Sequence, residues 1–236
     1  MANLLDLFFP KRCVNCKRVG DYLCSDCFSR LSFDTFDICP QCSKPAISGV
    51  THPRCKKRYS LDGAFSAIVL NNVARKLIYQ LKYRPYLTDL RQIAGELMFE
   101  SFSQNEEFQR IYSLNKEKLL VVPIPLFASR EKKRGYNQSE ILAIEFSKRF
   151  GLKFVNLLVR VQDTKSQVKL DRDKRRENVR GAFGINPKSQ APNLKNKTVF
   201  LIDDVLTTGA TLSEAGRVLK KASAGGVWGI ALAKEK

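Results

Sequence analysis

The densest chemistry in the chain lies in Val199-Phe-Leu-Ile-Asp-Asp-Val-Leu-Thr-Thr-Gly-Ala-Thr211. An apolar run that reads as a buried strand delivers two adjacent carboxylates, Asp203 and Asp204, at its end. A turn of small hydroxyl residues around Gly209 follows, and then a helix. Such a turn aims backbone N–H groups and the hydroxyls of Thr207, Thr208 and Thr211 at one anion, with the helix N-terminus adding a favourable dipole. Asp203 and Asp204 are placed to accept hydrogen bonds from sugar hydroxyls. A phosphate on one side and a diol on the other describe a ribose 5-phosphate. The plain alternative is a strand–turn–helix with an incidental acidic pair, which burial makes costly without a task.

A second chemistry sits at the other end. All seven cysteines fall within the first 55 residues, six of them as Cys-x-x-Cys pairs. Such pairs put two thiolates on one tetrahedral ion, and Cys13, Cys16, Cys24 and Cys27 make a complete four-thiolate set for structural zinc. Cys39, Cys42 and Cys55 need His52, the only histidine, to complete a set of three thiolates and one imidazole. The alternatives are that His52 is an ordinary loop residue, or that the two sets interleave in a cross-brace. The compact spacing of the first four favours sequential sites. Closed shells with no open position point to structure rather than catalysis, and metal-type thiols point to a reducing compartment. We therefore expect a cytoplasmic protein.

Between these ends runs a basic segment, Ser129-Arg-Glu-Lys-Lys-Arg-Gly-Tyr-Asn-Gln-Ser139, following the strand Leu119–Ile124. Read as a loop leaving a strand end, it puts Arg134 in reach of a pyrophosphate, while Gly135 permits close backbone approach. A solvated basic loop is the bland reading.

The elements that must hold these groups follow from periodicity. Strands are expected at Ala64–Leu70, Leu119–Ile124, Thr198–Ile202 and Gly226–Ala233. Helices are expected around Val73–Leu81 and Leu90–Met98, at Ser139–Phe150 with Gly151 as C-cap, and at Ser213–Ala222. Residues 103–116 read as a polar linking loop and 164–180 as a mobile basic loop. Leu4–Phe9 reads as a short amphipathic helix on the cysteine module rather than a signal peptide. The alternation predicts an α/β fold with a mostly parallel sheet flanked by helices. The expected division is a double zinc module over 1–60 and a catalytic-type domain over 61–236.

Val199–Thr211 resembles the phosphoribosyl pyrophosphate (PRPP) signature of type I phosphoribosyltransferases. By that resemblance Asp203 and Asp204 hold the ribose hydroxyls, and Thr207, Thr208, Gly209, Ala210 and Thr211 hold the 5′-phosphate. Val122-Pro-Ile-Pro-Leu126, Lys133-Arg-Gly-Tyr-Asn-Gln-Ser139, Gln167 with Leu170, and Asn178-Val-Arg-Gly-Ala-Phe183 resemble the ComF family, associated with competence and DNA uptake in bacteria. With the cysteine pairs and the PRPP turn, the resemblance covers nearly the whole chain in order. It implies that residues 163–183, with Arg175 and Arg176, close over the site as a lid. It also implies displacement of pyrophosphate from C1 of PRPP with Mg²⁺ on the leaving group. That chemistry needs no enzyme nucleophile, and residues 61–236 contain no cysteine or histidine. The acceptor is not named by the sequence, and no nucleobase pocket is recognisable.

Composition bounds the rest. A chain of 236 residues with 44% hydrophobic residues is globular, and no apolar run is long enough to insert in a membrane. The formal charge of +18 favours anionic partners. Three functions fit: a transferase, a handler of single-stranded DNA alongside competence or DNA-processing proteins with secondary or no catalysis, and a nucleobase-salvage enzyme. Tyr136 would be the stacking residue in the second.

Overall fold

The computed structural model of the chain describes residues 10–83, 88–164, 172–189 and 193–235. Its centre is a five-stranded parallel sheet in the order β1–β7–β6–β2–β3. The strands are β1 Gly63–Val69, β2 Leu119–Pro123, β3 Lys153–Phe154, β6 Thr198–Leu206 and β7 Gly226–Lys234. A two-stranded antiparallel ribbon, β4 Leu158–Arg160 with β5 Phe183–Ile185, lies beside it.

The strand sequences are near-continuously apolar because both faces are covered. Side chains alternate between two cores. Phe200 and Ile202 of β6 enter one core, and Val199 and Leu201 the other. The first core is roofed by α2 Asn72–Tyr83, α3 Thr88–Ser103, α4 Glu106–Asn115 and α6 Gln138–Phe150. The second lies under α8 Ala210–Lys221 and the ribbon. Phe65 stacks on Trp228 with ring centroids 5.2 Å apart. Gly63 makes room for that indole, since a Cβ there would lie 2.3 Å from Trp228 Cζ3.

The cysteine-rich segment, with the one-turn helix α1 Ser25–Phe28, is not an appendage on a linker. Cys13, Cys24, Cys27 and Leu31 belong to the first core, together with Phe65 and Leu77. Ser32 carbonyl accepts from Val69 N at 2.8 Å, and Val50 bridges Gly63.

Four expectations change. Residues 103–116 are not a loop, because Phe108 and Ile111 are buried in α4 and Asn105 Oδ1 caps it by accepting from Phe108 N. A stripe of two apolar residues in a polar segment carries too weak a period to be read. The basic run is likewise a helix, α5 Ala128–Arg134, ended by Gly135 in the left-handed region at φ 83°. Three of its four cations, Lys132, Lys133 and Arg134, sit in the last turn, where they complement the helix dipole. Within 164–180, Arg172–Val179 forms α7, anchored by buried Val179. Residues 165–171 and Leu4–Phe9 lie outside the described residues. Finally, β6 runs on to Leu206 rather than stopping at Ile202, because Asp203, Val205 and Leu206 still pair with β7.

Candidate functional site

Asp203 and Asp204 lie in the last part of β6, at the carboxyl edge of the sheet. β2 steps outward to β3, whereas β6 steps the other way to β7, so the strand order reverses between the parallel strands β2 and β6. Open parallel sheets present their ligand crevice at such a switch. Here a cleft of about 600 Å³ opens, lined by Asp203, Asp204, Thr207, Thr211, Ser139 and a set of cations. Those cations are Arg75, Lys82, Arg130, Arg134, Arg160 and Arg175, against the carboxylates of Asp203, Asp204 and Glu235. The cleft is therefore electropositive around an acidic pair.

The pair is held unequally. Asp203 Oδ1 accepts from Ser139 Oγ at 3.1 Å and from Asp204 N at 2.9 Å. Burial, and then the neighbouring Asp204 carboxylate, push Asp203 up to about 7 despite those bonds and Lys82. Lys82 Nζ stands 2.7 Å from Asp204 Oδ2. That ammonium satisfies the buried oxygen as an ion pair. Thr208 Oγ1, in the turn after β6, is a buried oxygen without a hydrogen-bond partner. Buried polar atoms are almost always satisfied, so this hydroxyl marks the turn as suited to a ligand.

Among the residues singled out from sequence, Asp203, Asp204, Thr207, Thr211, Arg134 and Arg175 line one cleft. Arg134 packs its guanidinium over Tyr83, 5.5 Å from the ring centre, and bonds Gln138. Arg175 meets Glu235 at 3.5 Å. The others go elsewhere. Gly135 does not line the cleft and serves as the cap of α5. Arg176, one position after Arg175, points to the other side of α7 and donates to Gln41 carbonyl. Thr208, Gly209 and Ala210 also lie outside the cleft lining, and Gly209 faces Pro40 of the cysteine module. Tyr136 donates to Leu81 carbonyl and is half-buried, so its ring is a packing element.

Sequence reading missed Lys82, Ser139 and Arg160. Arg160, from the ribbon, sits over the Phe183 ring and bonds Thr164. Burial and then nearby Arg130 pull its pKa down. Arg160 stood alone after a short apolar run, and Lys82 closed an ordinary amphipathic helix. Neither carried a local signal, because their convergence is made only by the sheet.

The cysteines form two sequential clusters. In Cys13, Cys16, Cys24 and Cys27, and in Cys39, Cys42, His52 and Cys55, one ligand atom per residue falls within 4.8 Å of the others. Backbone N–H groups of Cys16, Cys24 and Asn15 turn toward Cys13 Sγ. Burial pushes that thiol up, but those donors more than offset it and hold it at about 6. His52 Nε2 must donate to Pro45 carbonyl at 2.9 Å, since a carbonyl only accepts. This leaves the Nδ1 lone pair facing Cys42 Sγ at 3.3 Å. An imidazole fixed through its second nitrogen is the usual support of a metal ligand. Both donor sets suit structural zinc.

This fold, with its acidic strand end and hydroxyl turn, defines a phosphoribosyltransferase-domain protein bearing an N-terminal double zinc ribbon. Residues 4–56 match the double zinc ribbon domain, and residues 121–233 match the phosphoribosyl transferase domain. The chain is 28% identical to competence protein F of Haemophilus influenzae, over 96% of this chain and 99% of that protein. It is 26% identical to competence protein ComFC of Bacillus subtilis, over 84% and 77%. Against the DNA utilization protein YhgH of Escherichia coli K12 the identity is 27%, over 87% of each. Over most of its length the chain is thus similar to competence proteins F and ComFC. Among the described residues no helix is long and apolar enough to cross a membrane.

Proposed function

We propose that the cleft binds Mg²⁺–PRPP and transfers its phosphoribosyl group, in a cytoplasmic protein that serves competence and DNA uptake. The observation that carries this reading is the acidic pair beside the hydroxyl turn, in a cleft lined by six cations. Asp203 and Asp204 accept from the ribose hydroxyls, and the turn from Thr207 to Thr211 receives the 5′-phosphate. Lys82, Arg134 and Arg175 face the pyrophosphate, whose charge grows as the C1–O bond breaks. An acceptor nitrogen attacks C1, forms the new C–N bond and gives its proton to solvent, and pyrophosphate leaves. No enzyme nucleophile takes part. The acidic pair suits Mg²⁺, which when bound neutralises phosphate charge. The two cysteine clusters hold structural zinc. Calorimetric titration of PRPP, with and without Mg²⁺, tests the reading. The folded Asp203→Asn/Asp204→Asn variant should lose most affinity, and undiminished binding would overturn the assignment.

A second observation supports single-stranded DNA as a partner. A groove of about 900 Å³ runs between residues 57–60 and helices α7 and α8, lined by Lys57, Arg58, Arg176, Arg180 and Arg217. Asp173, Glu177 and Glu214 oppose them, and Glu214 is already paired with Arg217 at 2.5 Å. Because Arg175 and Arg176 diverge, this groove and the PRPP cleft lie on opposite sides of α7. Oligothymidylate anisotropy should show affinity falling steeply with salt. Lys57→Glu/Arg180→Glu should weaken the oligonucleotide and leave PRPP binding unchanged. No binding at low salt, or no effect of the variant, refutes the groove.

A further inference from the structure

The turn that receives the phosphate in this reading is not braced by its own domain alone. Gly209 is left-handed at φ 74°, and a Cβ there would lie 3.1 Å from Pro40 O and 3.3 Å from Pro40 Cα. Two backbones are therefore packed face to face, one in the turn and one in the knuckle between Cys39 and Cys42. Ser43 Oγ donates to Thr208 carbonyl at 3.2 Å, from a residue itself held at φ 56°. Gln41 Nε2 donates to Ser213 Oγ at 3.3 Å, and that hydroxyl donates back to Pro40 carbonyl at 3.3 Å. From the third side, the Arg176 guanidinium grips Gln41 carbonyl. The knuckle thus touches the turn, the first turns of α8, and α7.

What fixes the knuckle is its sulfur. The backbone N–H groups of Gln41, Cys42 and His52 all donate to Cys39. No long apolar element lies between Cys39 and Ser43. Four ligand atoms within 4.8 Å, three of them thiols, repel as thiolates unless a cation joins them. The first cluster lacks this relation to the turn. Cys13, Cys24 and Cys27 pack into the core on the opposite face of the sheet, whereas Ile38, beside the second cluster, belongs to the core under α8.

We propose that the second metal cluster is a positioning element of the phosphate turn. Metal at Cys39, Cys42, His52 and Cys55 holds the Pro40–Ser43 knuckle, and the knuckle holds Thr208 and Gly209 in their phosphate-receiving conformation while clamping α7 through Arg176. Loss of that metal, or oxidation of its thiols, loosens the turn while the sheet stays folded. The proposal rests on the PRPP reading for what the turn receives, but not for the mechanical coupling.

Hydrogen exchange of backbone amides in the full chain, without any nucleotide, separates the two. His52→Ala should lose close to one equivalent of zinc and exchange about tenfold faster at 206–212, with residues 199–202 of β6 still protected. Cys16→Ser, which opens the first cluster, should leave 206–212 at the wild-type rate. Ser43→Ala keeps both metals and removes one tether, so the turn should exchange about threefold faster. Equal turn exchange in His52→Ala and wild type, or equal loosening by Cys16→Ser, overturns the proposal. If His52→Ala instead exposes β6 as well, Ser43→Ala decides, and no change in its turn overturns the coupling. PRPP calorimetry on the same proteins is read separately. Wild type that does not bind PRPP defeats the functional reading and leaves the exchange result standing.

Discussion

Asp203→Asn should make the protein more stable while removing its ligand. The folded pKa of Asp203 is raised from 3.8 to about 7, first by burial and then by Asp204. The sign follows from proton counting. Between those two values the folded state binds the proton more tightly than the unfolded chain, so stability falls as pH rises, and the full penalty stands above about 7. Three pH units at ~1.4 kcal/mol each set a ceiling of ~4 kcal/mol. Asparagine keeps an oxygen to accept from Ser139 Oγ and Asp204 N, so the bonds at 3.1 and 2.9 Å survive the exchange. The attraction of Lys82 is already contained in that value, and since asparagine fits the site less well than a protonated carboxyl, a gain of ~1–3 kcal/mol at pH 8 is expected. Denaturant titrations at pH 6 and pH 8, a window in which zinc stays bound, should differ by on the order of 1 kcal/mol in that gain. A variant no more stable than wild type at pH 8, or a gain independent of pH, refutes the argument. So does a variant that keeps its PRPP affinity, since the strain would then serve no site.

Elemental analysis of protein purified without chelator should give close to two equivalents of zinc, and His52→Ala close to one. A single equivalent unaffected by that change would remove the second site. Phe108→Ala should cost ~3–5 kcal/mol by denaturant titration, because Phe108 meets Phe65, Phe102, Phe146, Phe150 and Phe200 with centroids 5.1–6.1 Å apart. A loss below ~1 kcal/mol would mean that the cluster repacks.

The parts legible from sequence were those whose signal is local. The strand entering Asp203 and Asp204 is apolar through four residues, the turn announces itself with Thr207, Thr208, Gly209 and Thr211, and Cys-x-x-Cys spacing names its own chemistry. The helices misread as loops, α4, α5 and α7, are short and polar, and are held by caps and a few contacts supplied from outside. Arg175 and Arg176 show a different limit. As neighbours in sequence they read as one basic feature, yet a helix rotates successive side chains by about 100°, and only the packing of α7 assigns one to the cleft and the other to the knuckle. Arg160 and Lys82 enter the site from the ribbon and from α2, so their chemistry is a product of topology.

The order of the strands also bears on how the molecule comes to exist. β1 sits at the edge of the sheet and pairs only with β7, and the Asp62 carboxylate bonds Val227 N across 165 positions of chain. During synthesis the apolar strand Gly63–Val69 waits for a partner made some 165 residues later. Such distant pairing is slow and leaves sticky edges open meanwhile. The zinc ribbon, whose ligands lie close together in sequence, comes directly before that strand and contacts it through Ser32 and Val50. A cell short of zinc would therefore lose a nascent-chain cover as well as a structural ion, and the shortfall would appear first as aggregated chains.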